Sequence, residues 1–286
     1  EGDGEGEEIP PRGGIKHVDA SNDTGTEDGS TEFPFRTITQ AVDADALLTL
    51  VRPGEYAERV VLRAGMSLVS THGSFHTRIN FPAKGFGSSN MTLRNDCVLR
   101  GFTILSLDYL CIDTTDNTTT TISNCWLAGY AGIWLGELSS ATVDNTVFRA
   151  NVYGVLAPTS VSALTVRNCL FLNNVVPFTM ASSTPFTGGY NAYFGNINEP
   201  EGHGRLPNDF TADPGFVNDF TGNVHLGADS ALRDTGSPDV EFNDLDGSRN
   251  DVGADGGPHG VVDLQAPGAI GSVDPLEGPI PLEVTF

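Results

Sequence analysis

Positive charge is scarce in this chain of 286 residues, which has 15 lysines and arginines against 37 aspartates and glutamates and a formal net charge of −22 at pH 7. Only Lys16 and Lys84 are lysines. A surface of this sign repels phosphate, so the sequence argues against nucleic acid as a partner. High negative charge with little lysine also keeps a protein dispersed in salt, which favours an extracellular setting.

Long apolar runs and paired-cysteine motifs are missing as well. No uninterrupted apolar stretch approaches the ~18 residues of a membrane-spanning helix, so we expect no span in this segment. The chain begins without a methionine or a signal-like stretch, and we expect a processed, secreted product.

The absence of CxxC argues against a zinc cluster or a thioredoxin-type site. An even number of cysteines permits disulfides, but an apolar, strand-like context favours buried thiols at Cys97, Cys111, Cys125 and Cys169.

Helical periodicity is absent from residues 98–178, where a strand-like repeat is found instead. Similar short apolar segments begin 23, 21 and 23 residues apart, at Gly101, Asn124, Asn145 and Asn168. A second register has intervals of 22 and 22 residues, at Cys111, Ile133 and Val155. A period of about 20–30 residues with short strands is typical of a solenoid, in which each coil buries its apolar side against the next. Asn or Gly recurs at the corners, where a positive φ is easiest.

Alternation along these strands predicts which side chains point inward. One inward ladder holds Phe102, Cys125, Thr146 and Cys169, and the next holds Ile104, Leu127, Phe148 and Phe171. In the second register Ile112 is expected to face outward. We expect an exposed apolar face that binds a partner, formed by Trp126, Trp134, Val147, Leu156 and Leu170. Two alternatives stay open: the opposite phase buries the tryptophans, or long loops such as 179–212 fold back and cover the face.

The regions outside the repeat have a different composition. Residues 1–14 are acidic and rich in Gly and Pro, and we expect a flexible leader there. Apolar residues at helical intervals within 35–42 predict one short helix that closes the N-terminal end. The β-helix domain is expected to span 15–260, and 261–286 to form an extended linker or strand that leads to a further domain or a partner subunit.

One acidic loop is a candidate metal site. Alternating oxygen-bearing side chains surround a glycine turn, at Asp244, Asp246, Asn250 and Asp251. Such a loop offers a hard cation several oxygen ligands, so a structural Ca²⁺ is a hypothesis here. Acidic turns also form simply to satisfy their own backbone, and this alternative stays open.

Three sites match the N-glycosylation sequon, at Asn22, Asn90 and Asn117. Modification requires a secretory route that glycosylates asparagine. Chance matches are common in a chain rich in Thr and Asn, so these are candidates only.

Six segments outside or within the repeat are similar to segments of a known protein superfamily. They are HVDASNDTGT at 17–26, FPFRTITQAV at 33–42, LVRPGEYAERVVL at 50–62, LRGFTI at 99–104, DPGFV at 213–217 and NDLDGSRNDVGADGGP at 243–258. With the repeated coils, they resemble right-handed parallel β-helix proteins of the pectate-lyase-like superfamily. The resemblance implies an all-β, right-handed parallel β-helix with a short N-terminal capping helix. It says little about activity, because that superfamily includes lyases, hydrolases, adhesins and structural solenoids. Residues 278–286 are similar to the opening strand of a polycystic-kidney-disease-type Ig-like domain.

No motif predicts catalysis. Gly202-His203-Gly204 is similar to a motif of polygalacturonases, but the carboxylate motifs of that family are lacking, so a loop histidine is favoured. In pectate lyases an arginine or lysine base acts beside Ca²⁺ held by carboxylates. The analogous outward column would be Arg100, Ser123, Asp144 and Arg167. One acid between two arginines suits an ion-pair ladder better than a metal cluster.

We therefore expect a secreted or cell-surface structural and interaction module without catalysis, part of an extracellular assembly. Its partner would be a protein or a second copy, docked on the outer apolar face and the C-terminal strand. The alternative is a carbohydrate-active protein: a polysaccharide lyase or glycoside hydrolase, or a polysaccharide-binding module without turnover.

Overall fold

The computed structural model describes residues 13–81, 89–157, 161–218 and 223–260, and the chain there winds into coils of short parallel strands. Strands of successive coils pair in parallel, because each coil returns the chain to the same face after one repeat. The predicted parallel β-helix is confirmed. Most of the predicted leader and all of 261–286, with the Ig-like strand expected there, lie outside the described residues.

The first face of the solenoid is a parallel sheet of eight strands, numbered here along the chain. Its order is β1 (Gly13–Val18), β2 (Ala46–Val51), β5 (Ser67–Ser70), β8 (Cys97–Arg100), β10 (Thr119–Ser123), β12 (Ser140–Asp144), β15 (Ala163–Arg167) and β18 (Phe186–Gly189).

The second and third faces share a twelve-stranded sheet, because the long strands β9 (Thr103–Thr114) and β11 (Trp126–Trp134) run through both. The second face is completed by β3 (Gly54–Tyr56), β6 (Thr77–Ile79), β13 (Val147–Arg149), β16 (Leu170–Leu172), β19 (Ala192–Phe194) and β20 (Phe210–Thr211). The third contains β4 (Val60–Val61), β7 (Ser89–Leu93), β14 (Tyr153–Leu156) and β17 (Val176–Thr179). Outside these lie the antiparallel pair β21 (Phe216–Asn218) and β22 (Asn223–Leu226) and a 3₁₀ helix, Val240–Phe242.

One short helix, α1 (Ile38–Asp43), lies where the sequence predicts it and packs against β1, β2 and β4. Its N-terminus has a capping box between Thr37 and Gln40. The Glu58 carboxylate accepts from the amides of Ile38 and Thr39 at 2.7 and 2.8 Å. No helix in the described ranges has the length and apolar character that crossing a bilayer requires.

The core consists of ladders of like side chains, one from each coil. The rings of Phe148 and Phe171 stack with centroids 4.8 Å apart, and Tyr193 continues the stack 5.1 Å beyond Phe171. Cys125 and Cys169 are also fully buried. Both predicted inward ladders are confirmed, since every one of their eight side chains is fully buried.

The second register was predicted one residue out of phase at its first coil only. Ile133 pairs with Ile112, not with Cys111, and Ile112 faces the core with no exposed surface. A bulge is the reason: Gly129 pairs with Ser106 but Ala131 pairs with Leu110, so β9 contains two more residues than β11 at this corner. Asp113 takes the outward position beside Trp134.

Candidate functional site

The predicted exposed apolar face is mostly covered, which corrects the sequence-based expectation. Trp126, Val147 and Leu170 do point out of the solenoid in one aligned column on the second face, as predicted. Their side chains are nevertheless buried, with 6%, 2% and 1% exposure. They belong to a second apolar cluster that lies outside the solenoid core.

The cover is the chain's own C-terminal part, residues 213–218 and 223–257, which we call the strap. It supplies apolar side chains to this cluster from Phe216, Val224, Leu226, Leu232, Val252 and Ala254. The ring of Phe216 lies 5.7 Å from that of Trp126. A void of about 10 Å³ remains beneath, room for one water at most. The alternative that a later segment folds back over the face is therefore the right one, although the segment is not 179–212.

Asparagines at the solenoid corners hold the strap in place. The Asn124 amide donates to the carbonyls of Ala254 and Gly256 at 3.1 and 2.8 Å. Asn145 donates to Asn250 Oδ1 at 3.0 Å, and Asn168 Oδ1 accepts from the Ser237 amide at 2.8 Å. The sequence explained these asparagines only by their positive φ. Their second role, binding the strap, was not predictable, because Asn124 and Asn145 contact residues more than a hundred positions away along the chain.

Two predicted binding residues, Trp134 and Leu156, stay half-buried and accessible. They pair on adjacent coils of the third face, which the strap does not cover. Docking of a protein or of a second copy on these two side chains remains a prediction.

The four candidate calcium ligands have protein partners of their own. Asp246 Oδ1 accepts from the Ser248 amide at 2.8 Å, and Asp244 accepts from the Asp251 amide at 3.0 Å. Asn250 is fully buried and contacts Asn145. In the part of the chain that the structure describes, no group of three or more His, Cys, Asp or Glu is placed to hold a metal ion. Calcium binding by this loop stays a hypothesis.

The asparagines of the three sequons differ in burial. The Asn22 amide donates to Pro34 O at 2.6 Å, and the fully buried Asn90 donates to Leu105 O at 2.6 Å. Both side-chain nitrogens are engaged in these hydrogen bonds in the folded chain, and glycosylation at either site stays a prediction. Asn117 is exposed and remains a candidate.

An open groove of about 420 Å³ runs along the outer surface of the first face. A column of threonines on adjacent strands forms its floor, at Thr142, Thr165 and Thr187. Residues 237–242 of the strap form the wall, with the carboxylates of Asp239 and Glu241. The hydroxyls of Thr165 and Thr187 lie 2.9 Å apart, so the floor is a continuous polar strip. The sequence predicted none of this groove, since its wall is far from its floor along the chain.

An ion pair borders the floor. Arg167 binds Asp144 through both carboxylate oxygens, at 2.9 and 3.3 Å. Its guanidinium also lies 4.2 Å from the ring of Phe242 in the wall. The predicted column is confirmed, since Arg100, Ser123, Asp144 and Arg167 are aligned rung by rung. The Arg167–Asp144 pair fixes the guanidinium on the groove surface.

The end of the groove has an unusual backbone position. The corner residue after the first-face strand has a positive φ in five successive coils, namely Gly101, Asn124, Asn145, Asn168 and Tyr190. The first four are the residue types that tolerate this conformation. Tyr190 has φ 58°, which is strained for an aromatic residue, and it lines the groove. Arg249 of the strap lies over its ring, 5.8 Å from the centroid.

No protein-family model matches the sequence, and no curated protein matches it either. Two solved structures are similar in fold at low sequence identity. One is "pectate lyase Pel9A", at 12% identity, a TM-score of 0.39 and coverage of 85% of this chain and 96% of that chain. The other is the pectin methylesterase from Aspergillus niger, at 12% identity, a TM-score of 0.32 and coverage of 69% of this chain and 83% of that chain.

Proposed function

We propose that the protein is an extracellular polysaccharide-binding β-helix module that holds a glycan segment in the groove of the first face without turnover. Sugars present hydroxyl groups beside apolar ring faces, so their sites combine fixed polar groups with aromatic rings. The groove has both: the threonine hydroxyls and carboxylates on one hand, and the rings of Tyr190 and Phe242 on the other.

The observation that carries this proposal is the strained Tyr190. A positive φ costs a residue with a Cβ about 1–2 kcal/mol, and the four preceding coils lower the cost at this corner by using Gly or Asn. Strained backbone persists mainly where the surroundings or a function require it. A tyrosine at this corner of the groove supplies a ring on which a sugar can stack, a role that an asparagine does not serve.

Two observations argue against the other classes of function. The apolar face that favoured a protein partner is largely occupied by the chain's own strap. The Asp144 carboxylate, which borders the floor, accepts from Nε and Nη2 of Arg167, which leaves it poorly placed to move a proton.

The test is a Tyr190→Asn variant, measured by calorimetry against oligosaccharides of polygalacturonate, alginate, xylan and β-glucan. We expect the wild type to bind one of these classes and the variant to bind it at least about tenfold more weakly. The variant's free energy of unfolding should not fall, because asparagine suits this backbone position. A loss of affinity without a loss of stability indicates that Tyr190 binds the glycan, whereas a structural role would lower the stability of the variant.

Thr121→Ala is the matched control, because Thr121 belongs to the same threonine column but lies outside the groove lining. It should bind like the wild type. Failure of the wild type to bind any of the glycans, or unchanged affinity in Tyr190→Asn, would contradict the proposal. New reducing or unsaturated ends would show that the groove is catalytic.

A further inference from the structure

A second groove, of about 590 Å³, lies between α1, β4 and the turn that follows β7. Three arginines line it: Arg59, Arg63 and Arg94. They are three of only 15 basic residues in a chain with 37 acidic ones. One fifth of the positive charge therefore converges on one groove of a strongly negative protein, far along the solenoid from the glycan groove on β12, β15 and β18.

Two of these arginines lie side by side on neighbouring coils. Val61 of β4 pairs with Thr92 of β7, and the ladder continues from the Leu62 amide to Thr92 O at 2.9 Å. Arg63 therefore neighbours Arg94 at the interstrand spacing of about 4.8 Å. Like charges directly opposite each other on adjacent strands are destabilising.

The compensation of this repulsion is uneven. Arg63 lies 3.3 Å from Asp43, which lines the same groove, and 3.7 Å from Asp45. Arg59 interacts electrostatically with Asp113. The Arg94 guanidinium makes no ion pair or hydrogen bond with any part of the chain that the structure describes. Among the described residues, the two neighbouring guanidinium groups therefore have more hydrogen-bond donors than acceptors.

We propose that this groove binds a tetrahedral oxyanion, the sulfate or phosphate group of an ester. Guanidinium forks on neighbouring coils can donate to different edges of a tetrahedral anion, whereas a planar carboxylate is matched by one fork. Val61, which is 36% exposed, and Ala64 lie in the same groove and give the carbon skeleton of the ester an apolar contact. The site does not depend on the glycan groove.

The test is titration of the full chain at low ionic strength with four probes: inorganic sulfate, inorganic phosphate, galactose 6-sulfate and glucose 6-phosphate. We expect the wild type to bind at least one probe, with affinity that falls as NaCl is added. A preference for the esters over the inorganic ions identifies the apolar contact, and a preference between sulfate and phosphate identifies the source. Arg94→Gln should weaken binding by about tenfold.

Arg78→Gln is the matched control, because Arg78 lies outside the groove and 3.8 Å from Glu55. It should bind the probes with an affinity within about twofold of the wild type, since surface charges contribute little.

The melting temperature of Arg94→Gln without ligand is a second test. It should be no lower than that of the wild type, because the substitution removes a repulsion; loss of a merely structural arginine would lower it. No binding by the wild type, or equal losses in the two variants, would overturn the proposal. Should Arg94→Gln fold poorly, Arg94→Lys keeps the charge without the fork and should still bind more weakly.

Discussion

At the scale of single residues, the four cysteines act as small apolar side chains. All four are free and buried, as their strand-like context predicts. Burial raises the pKa of the Cys111 thiol to about 12 and that of Cys125 to about 11. The reactive thiolate is therefore strongly disfavoured in the folded state.

We expect the native protein to resist a thiol reagent such as Ellman's reagent, and to react with four equivalents once it is unfolded in denaturant. The reaction rate in the native state should follow the opening of the fold. Rapid modification of any cysteine under native conditions would contradict the buried ladder.

The strap has two carboxyl groups whose titration is shifted towards neutral pH. Burial is the main cause: it raises the pKa of Asp244 to about 6 and that of Asp251 to about 7. The charges around Asp251 are those of Asp244, Asp234 and Arg233. Because an unfolded aspartate titrates near about 3.9, the folded chain binds these protons more readily between about pH 4 and pH 7. Their contribution to the free energy of unfolding therefore grows as pH falls through this window.

Asp251→Asn should stabilise the protein at about pH 8, since the amide keeps an acceptor for the Asp234 amide but carries no buried charge. The gain should shrink as the pH is lowered to about 5. Burial lowers the pKa of His259 to about 4 and contributes the opposite slope, but equally in both proteins. The measurement is the difference between their denaturant-unfolding free energies across pH; a constant difference would contradict the assignment.

At the scale of elements, an asparagine ladder joins successive coils at the corner between the second and third faces. Asn174 Oδ1 accepts from the side chain and the backbone amide of Asn151, at 2.9 and 3.0 Å. Its own side chain donates to Phe148 O at 2.9 Å and to Asn196 Oδ1 at 3.0 Å. The ladder satisfies corner amides that the strands cannot reach, so each coil fixes the next.

Asn174→Ala should lower the free energy of unfolding by about 3 kcal/mol, because buried donors lose their acceptor. Asn198→Ala is the control: this asparagine is exposed, and its backbone amide bonds to Val175 O whichever side chain is present. The free energies of unfolding of the two variants, measured in urea, should differ by most of that amount. Similar values would show that the ladder adds little.

The strand phase, that is, which alternate side chains face the core, shows how far a repeat can predict the orientation of side chains. Spacing predicted the pairing of Trp126, Val147 and Leu170 because those coils have nearly equal length. It placed Ile112 on the wrong side, because the prediction used an interval of 22 residues on the third face, whereas Ile112 pairs with Ile133 at an interval of 21. The two extra residues of β9 shorten the interval between coils from 23 on the second face to 21 on the third. Because a side chain changes face with every residue, an error of one residue in the interval reverses the predicted face.

At the scale of the whole molecule, the strap converts an open solenoid face into a second core. Leu232 has no exposed surface and lies at the centre of the strap's apolar contribution. Leu232→Ala should lower the free energy of unfolding by about 2–5 kcal/mol through the cavity it creates. It should also speed hydrogen exchange in the strap and shift the fluorescence of Trp126 towards that of a solvated indole.

The exposed Leu245, in the same strap, is the matched control. Leu245→Ala should leave stability, exchange and fluorescence close to those of the wild type. If Leu232→Ala behaves in the same way, the strap does not seal the second face in solution.

Sequence alone was enough to predict the parallel solenoid, its short helix α1, the inward ladders and the column that pairs Arg167 with Asp144. These features arise from contacts between neighbouring coils, which a period of 21 to 23 residues records directly. Only the tertiary structure decided that the strap buries Trp126 and that residues 237–242 form a wall beside Tyr190. It also brought Arg63 beside Arg94 at the helix α1 groove. Such contacts join segments that share no repeat, and their free energy depends on shape and burial that periodicity does not encode.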